Sequence, residues 1–478
     1  MVNELYYVHP CPTCGGFHNQ DAETTIHFSP KIIEAYLRKL YGKKFDVETE
    51  IEPTIWREVL KYLNHACAEG ISQSNLLPTL EQDFYSELKQ SNGVFAALKV
   101  HSMGNVMAAM LTDENGKLKP FHQWKEDVAS IASHYMGSWL QTEYNTAVIR
   151  AHNAADWLNF ERNKDIFPNL RWMPTVSPDP DEVHRRFWER KLTRPINDPF
   201  WNKHRPGDRW NCKCSLEATD DPITEIPGET DQDQPQPGLK GNPAKTKQIF
   251  DKSHPYFPKS CKGCKFNKGL KNKLTGWFWN AEDKCNHCPA VVRAIKKAKT
   301  ENDITAIFEK LPKLSGAEYI KNVRAITEMK IFKKVKKNIY SAVGKDDDDY
   351  KNLMAGAKKA VRAGYSVYIL PNPNSVKSPD YIFKRDGVVK IYDLKTVTGQ
   401  GSIGSRLKES KGQTKRVFLN LATQYNSNKM ASEIKKHFEN YSDAIEVLIA
   451  AGNKLISVER NFTQKRDYHK QLRKLIET

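Results

Sequence analysis

Two kinds of chemistry-bearing residue stand out in this 478-residue chain: sulfur ligands in closely spaced pairs, and a set of carboxylates and cations near the C-terminus. Cys261, Cys264, Cys285 and Cys288 are spaced C-x2-C-x20-C-x2-C. Two such knuckles are the pattern of a structural zinc ribbon, in which four thiolates surround the metal in a tetrahedron. Trp277, Phe278 and Trp279 between the knuckles would supply the small core that such a module otherwise lacks. A second pair, Cys212 and Cys214, could complete a zinc site with His184 and His204; the alternative is buried thiols and histidines bonded to backbone carbonyls. A third pair, Cys11 and Cys14, has His9 and His18 beside it; one knuckle plus a histidine makes only three good ligands, so a complete site there needs help from elsewhere in the fold. The ninth cysteine, Cys67, reads as a buried helical residue.

Near the C-terminus, the run Val388–Val397 (VVKIYDLKTV) alternates with period two, which puts Val389, Ile391, Asp393, Lys395 and Val397 on one face of a strand. Two charges among aliphatic residues make little sense as plain core. Ser402, Arg406 and Gln413 are spaced i, i+4 and i+11, which on a continuing helix aims a hydroxyl, a guanidinium and an amide one way. Cleaving a phosphodiester needs cations against the developing charge and a group that moves a proton. Lys395 and Arg406 suit the first role. Asp393 or Asp380 suits the second, with Thr396, Thr398 and Ser402 as donors to phosphate oxygens. The preferred reading of this set is a metal-independent ribonuclease. The alternative uses the same residues: Pro379-Asp380, a gap of 12, then Asp393-x-Lys395 is the PD-(D/E)xK arrangement, in which two carboxylates hold magnesium and the lysine orients the attacking water. A third reading is a surface salt-bridge network on a module that binds DNA and cuts nothing.

The elements that must position these residues fall into six stretches. Residues 1–45 hold the first cysteine pair and a short amphipathic helix, and residues 46–220 are largely helical up to Arg162. A run from His122 to Arg162 is too long for one ordinary globular helix, so it either breaks near Gly137 or stands out as an extended helix. Residues 221–248 are acidic, proline-rich and poor in apolar side chains, the composition of a linker. The zinc-ribbon segment (249–290) and a basic helical connector (291–345, including KKVKKNIY) follow. Residues 346–478 carry a helix and then the strand-like runs SVYIL, DYIF, VVKIYDLKTV, RVFLNL, EVLIAA and KLISVE. The expected fold is therefore multidomain: a mostly α N-terminal domain, a small zinc ribbon, and an α+β C-terminal domain.

Charge divides the same way. From Val291 to Thr478 the chain has 38 Lys and Arg against 20 Asp and Glu, whereas the first 290 residues hold 36 against 37. A basic module on a near-neutral body suits contact with nucleic acid. No apolar run reaches the roughly 20 residues that span a bilayer, and the N-terminus has no signal-peptide pattern. The expectation is a soluble protein made in the bacterial cytoplasm, without a membrane partner.

Two resemblances add to this. Asp181 (or Asp179), His184, Asp198, Pro199, Trp201, His204, Pro206, Trp210, Asn211, Cys212 and Cys214, preceded by the helix TEYNTAVIRAHNAADW, resemble the signature of the Mu F-like phage head morphogenesis family over about residues 120–220. Lys213 stands where that family usually carries Arg. The resemblance implies a minor head protein of the virion, with the portal and capsid proteins as partners. Residues 350–462, through Pro379-Asp380, Asp393-Leu394-Lys395, a Ser/Thr/Gly loop and a late strand ending in Arg460, resemble the C-terminal nuclease domains of contact-dependent inhibition toxins. Many of these are transfer-RNA nucleases of the barnase–EndoU–colicin–RelE superfamily. That resemblance implies an RNA substrate, with packaged DNA as a further candidate, and an immunity protein as a candidate partner.

Overall fold

The computed structural model describes residues 26–74, 78–175, 182–228, 233–266, 285–344, 347, 349–373, 376–399, 403–423, 425–452 and 454–477. The chain divides into two compact units, Met1–Lys299 and Thr300–Thr478. Among the described residues, no helix is long and apolar enough to cross a membrane.

The first unit is built on α1 (Pro30–Tyr41), α2 (Pro53–Ser72), α3 (Pro78–Ala109) and α4 (Trp139–Asn163). Pro53 opens α2 where its missing N–H costs nothing, and the Glu52 carboxylate accepts the Ile55 N–H at 2.8 Å. The buried stripe Ile55, Val59, Leu63, Ala66 and Cys67 repeats at helical spacing. The run before α4 does break: short helices Phe121–Asp127 and Ala129–Ser133 lead into a π-helical turn, His134–Ser138, that contains Gly137. Beyond α4, β1 (Asn169–Met173), α5 (Glu182–Glu189), β2 (Thr193–Pro195) and β3 (Ser215–Thr219) form a small antiparallel sheet of order β2-β1-β3 with a helix on it.

The acidic, proline-rich stretch is not a free linker over its described part. Leu239, Ala244, Ile249 and Phe250 are buried in the same core as α2 and α4. They are held there by Arg150, whose buried guanidinium donates to the carbonyls of Ile249 (2.7 Å), Gly207 (2.5 Å), Leu239 (3.2 Å) and Gly241 (2.6 Å). Arg205 donates to the last two as well, at 2.6 and 2.7 Å. Composition failed here because the few apolar side chains of the stretch, Leu239 and Ala244, are joined by backbone carbonyls that bind two buried guanidiniums.

The second unit begins at Thr300, well before residue 346. It is an eight-stranded mixed sheet of order β11-β10-β9-β8-β7-β6-β5-β4. The strands are β4 (Lys333–Lys336), β5 (Ile339–Ser341), β6 (Ser366–Ile369), β7 (Tyr381–Arg385), β8 (Val388–Val397), β9 (Arg416–Leu421), β10 (Glu446–Ala451) and β11 (Lys454–Glu459). The basic stretch read as helix is helical over Pro289–Lys310 and Gly316–Glu328, but its last part, KKVKKNIY, is a β-hairpin closed by Asn338 in the left-handed region (φ 56). Strands β6, β7 and β8 run antiparallel, whereas β8, β9 and β10 are parallel. On one face the helix Tyr350–Arg362 covers Tyr392, Leu394 and Phe418. On the other, the helix Gly316–Glu328 packs on Ile382, Val389 and Ile391, while the helices Ile403–Glu409, Ser427–Asn440 and Tyr468–Glu477 pack on Val397, Val417 and Leu419.

Candidate functional site

Strand alternation puts Asp393 and Lys395 on the face they share with Ile391 and Val397. On that face Ile391 belongs to one helix-covered cluster and Val397 to the next, so the two charges fall between them. Asp393 is 1% exposed, and its carboxylate meets the Lys395 ammonium at 2.9 Å. That ammonium also donates to the Gln413 side-chain oxygen at 3.2 Å. Asp380 immediately precedes β7; its backbone bonds Tyr392 and Leu370, and its carboxylate accepts the Leu394 N–H at 2.5 Å.

The two aspartates face each other as a coupled pair. Burial, and next the negative charge of Asp393, push the Asp380 carboxyl up to about 8. Burial raises Asp393 as well, against the pull of Lys395, and Glu409 adds to the rise. Two carboxylates this crowded, with one ammonium against the second, make a set of hard oxygen donors that suits a divalent cation.

Not every expected residue joins them. Thr396 points to the opposite face, where its hydroxyl donates to Asn352 at 2.5 Å and accepts from Asn420 at 3.4 Å. Neighbouring residues of a strand alternate, so Thr396 cannot share a face with Lys395. Thr398 is exposed beyond the end of β8. Arg406 pairs with Glu409 on the helix surface at 2.9 Å, with 43% of its side chain exposed. The helix ends at Glu409, and the turn at Gly412 (φ 82) follows, so Gln413 is not on a helix face with Arg406; it reaches Lys395 from a turn. Ser402 lies outside the described residues. Glu409 and Asn352 were not foreseen, and nothing in their spacing marks them.

In the first unit, His184, Cys212 and Cys214 bring their ligand atoms within 4.8 Å of one another, the only group of three or more such residues among those described. All three are buried. His184 Nδ1 is 3.3 Å from Cys212 Sγ, and the Cys214 N–H donates to that sulfur at 3.4 Å. His184 Nε2 is 2.7 Å from the buried carboxylate of Asp208. A carboxylate behind a histidine fixes its tautomer and aims its other nitrogen, as in the outer shell of metal sites. Burial works against a charge on His184, but Cys212 and Asp208 outweigh it and hold the imidazole up at about 10. Asp208 was not foreseen; the only trace of it is the Gly207 turn before it, whose left-handed backbone (φ 84) packs on Arg150. His204, expected as a fourth ligand, is not in the group; its ring lies against Phe200 (5.0 Å) and Phe187 (5.7 Å).

The ribbon cysteines form both expected turns, with the Cys264 N–H on the Cys261 carbonyl at 3.4 Å and the Cys288 N–H on the Cys285 carbonyl at 3.2 Å. Among the described residues, these four cysteines form no ligand group of the kind made by His184, Cys212 and Cys214. The segment between them, with Trp277, Phe278 and Trp279, lies outside the described residues, as do Cys11, Cys14 and His18. Compared with family models, with curated proteins and with solved structures, the chain matches none.

Proposed function

We propose that the second unit is a nuclease that cleaves phosphodiester bonds with a divalent metal, carried on a minor head protein of the Mu F-like kind. One observation carries the nuclease reading: the partly buried Asp380 and the fully buried Asp393 sit side by side, and Lys395 is fixed against the second of them. The pair fits magnesium, because Asp380 is lifted by burial and next by the charge of Asp393, and a bound cation offsets both. Asp380 and Asp393 would hold the ion, which when bound polarises a phosphoryl oxygen and lowers the pKa of water. Lys395, pinned by Asp393 and Gln413, orients the attacking water and stabilises the charge that builds on phosphate. This arrangement favours the two-carboxylate chemistry over the metal-independent one, because two adjacent carboxylates serve a cation better than they serve an anionic phosphate alone.

The test is incubation of the full chain with total RNA and with plasmid DNA, with magnesium or with chelator, beside Asp393→Asn. Cleavage that needs magnesium and is lost in Asp393→Asn is the expected result. Cleavage that persists in chelator would return the site to the metal-independent reading, and no cleavage of either substrate would leave a binding module.

The head-protein role rests on the Trp210-Asn211-Cys212-Lys213-Cys214 signature, with portal and capsid proteins as partners and the virion head as location. Zinc is the ion we assign to His184, Cys212 and Cys214, since thiolate and imidazole donors select it, and also to Cys261, Cys264, Cys285 and Cys288, whose two turns would have to draw together around it.

A further inference from the structure

We infer that the outer edge of the large sheet, formed by β4 and β5, is a docking surface for single-stranded nucleic acid that feeds the Asp380–Asp393 site; this rests on the nuclease reading above. Five lysines fall within eight residues here: Lys330, Lys333, Lys334, Lys336 and Lys337. All are exposed, and no acid lies between them in sequence. Among the described residues none of the five is in an ion pair. Lysines on an edge strand also keep other strands from pairing with it, but that task does not call for the aromatic residues beside them. Tyr340 and Tyr368 stack at 4.9 Å with their planes 15° apart, and Phe332 meets Tyr368 edge-on at 5.2 Å. All three rings are only partly buried. Unpaired cations along an edge, with Lys334 opposite Tyr340, beside rings that are partly exposed suit a single strand: charge for the phosphates and a platform for the bases.

The sheet register ties this edge to the catalytic face. Lys334 pairs with Tyr340, Tyr340 with Tyr368, Tyr368 with Ile382, and Ile382 with Ile391. Residues opposite one another share a face, so this row lies on the side that carries Ile391 and, two residues on, Asp393. Between the edge and the aspartates this row passes beneath the helix Gly316–Glu328, which buries Ile382 and Ile391, so a strand held at the edge reaches the aspartates around that helix, over more than the about 19 Å of four strand-to-strand steps. A duplex, whose bases are stacked inside, gains the charge but not the ring contacts.

The experiment measures binding of a fluorescent mixed-sequence oligonucleotide, single-stranded and as duplex, to the full chain bearing Asp393→Asn in the presence of chelator. Lys333→Gln, Lys334→Gln and Lys336→Gln are combined, and a charge-matched triple on the opposite part of the unit, Lys429→Gln, Lys435→Gln and Lys436→Gln, is the control. The first triple should weaken single-strand binding at least tenfold and reduce the slope of log affinity against log salt by about 2, roughly 0.7 for each phosphate no longer neutralised. The control should stay within about twofold. Tyr340→Leu, which keeps apolar bulk without the ring, should weaken single-strand binding roughly tenfold and leave duplex binding unchanged. Equal losses in the two lysine triples, or equal parent affinity for single strand and duplex, overturn the docking surface. If the chain without Asp393→Asn still cleaves in either case, the nuclease reading stands without it; if that chain neither binds nor cleaves, both fall.

Discussion

Lys395 is the residue through which the candidate site can be tested most directly. Its side chain is 13% exposed and its ammonium is held between Asp393 and Gln413, so it is positioned before any substrate arrives. Removing a pre-positioned charge donor typically costs ~10² to 10³ in rate. Lys395→Ala should therefore lose about that much cleavage in a gel assay, while Arg406→Ala, whose charge is paired with Glu409 at the surface, should lose less than tenfold. An Arg406→Ala loss equal to that of Lys395→Ala would place the arginine back on the phosphate. A second residue-scale prediction concerns His437, buried against Phe438 and Tyr441. Burial, helped by Arg460 and opposed by Asp443, pushes its imidazole down to about 4. The unfolded chain, with an imidazole near 6.5, then binds a proton that the folded chain refuses between about 6.5 and 4. The stability of the second unit should fall as pH drops through that window, and His437→Phe should flatten the fall in urea melts. An unchanged pH slope in the variant would remove His437 as its source.

At the scale of elements, α2 and α4 owe their close packing to Gly70. A Cβ at Gly70 would overlap the Val148 carbonyl of α4, whereas one at Gly137 would meet nothing within 4 Å. Gly70→Ala must push two helices apart and should cost roughly 2–3 kcal/mol, against little or nothing for Gly137→Ala. Matched denaturant melts of the two variants check it; equal midpoints would mean that the helices adjust freely. How far the elements could be read from sequence depended on whether the side chains carried the signal. Val388–Val397 shows its strand and its charged face by alternation alone, so Asp393 and Lys395 were legible. The hairpin at Lys333–Ser341 was not, because its first strand is exposed along its whole length, Val335 included, so no alternation of apolar and polar residues marks it. The stretch around Leu239 and Ile249 looked like linker because Arg150 and Arg205, far away in sequence, hold it by its carbonyls. Gln413 reached Lys395, though not by the route expected: the helical periodicity that placed it assumed a helix that stops at Glu409. Asp208 carries no sequence signal, since any acid in a Pro-Gly-Asp turn reads as a turn residue.

At the scale of the whole molecule, the two units have separate apolar cores, and each is proposed to take a different ion. Soft sulfur and imidazole donors lie in the first and hard carboxylates in the second, so the ions should act on different melting transitions. An ion that binds only the folded state stabilises it by RT ln(1 + [L]/Kd), about 4 kcal/mol at a thousandfold excess over Kd. In a unit of this size that is on the order of 10 °C. Zinc chelation should therefore lower the transition of the first unit by about that much and leave the second in place, and magnesium should raise only the second. Cys212→Ser should reproduce part of the chelator shift and lower the bound zinc by one ion per chain, and Cys261→Ser should lower it by one more. Asp208→Asn leaves every ligand atom present while loosening His184, so it should weaken zinc binding some 10- to 100-fold without changing the stoichiometry at saturating metal. If Cys212→Ser leaves the zinc count unchanged in elemental analysis, the buried cluster is a hydrogen-bonded triad of Asp208, His184 and Cys212 that holds the small sheet together. The only metal of the first unit would then be at the ribbon.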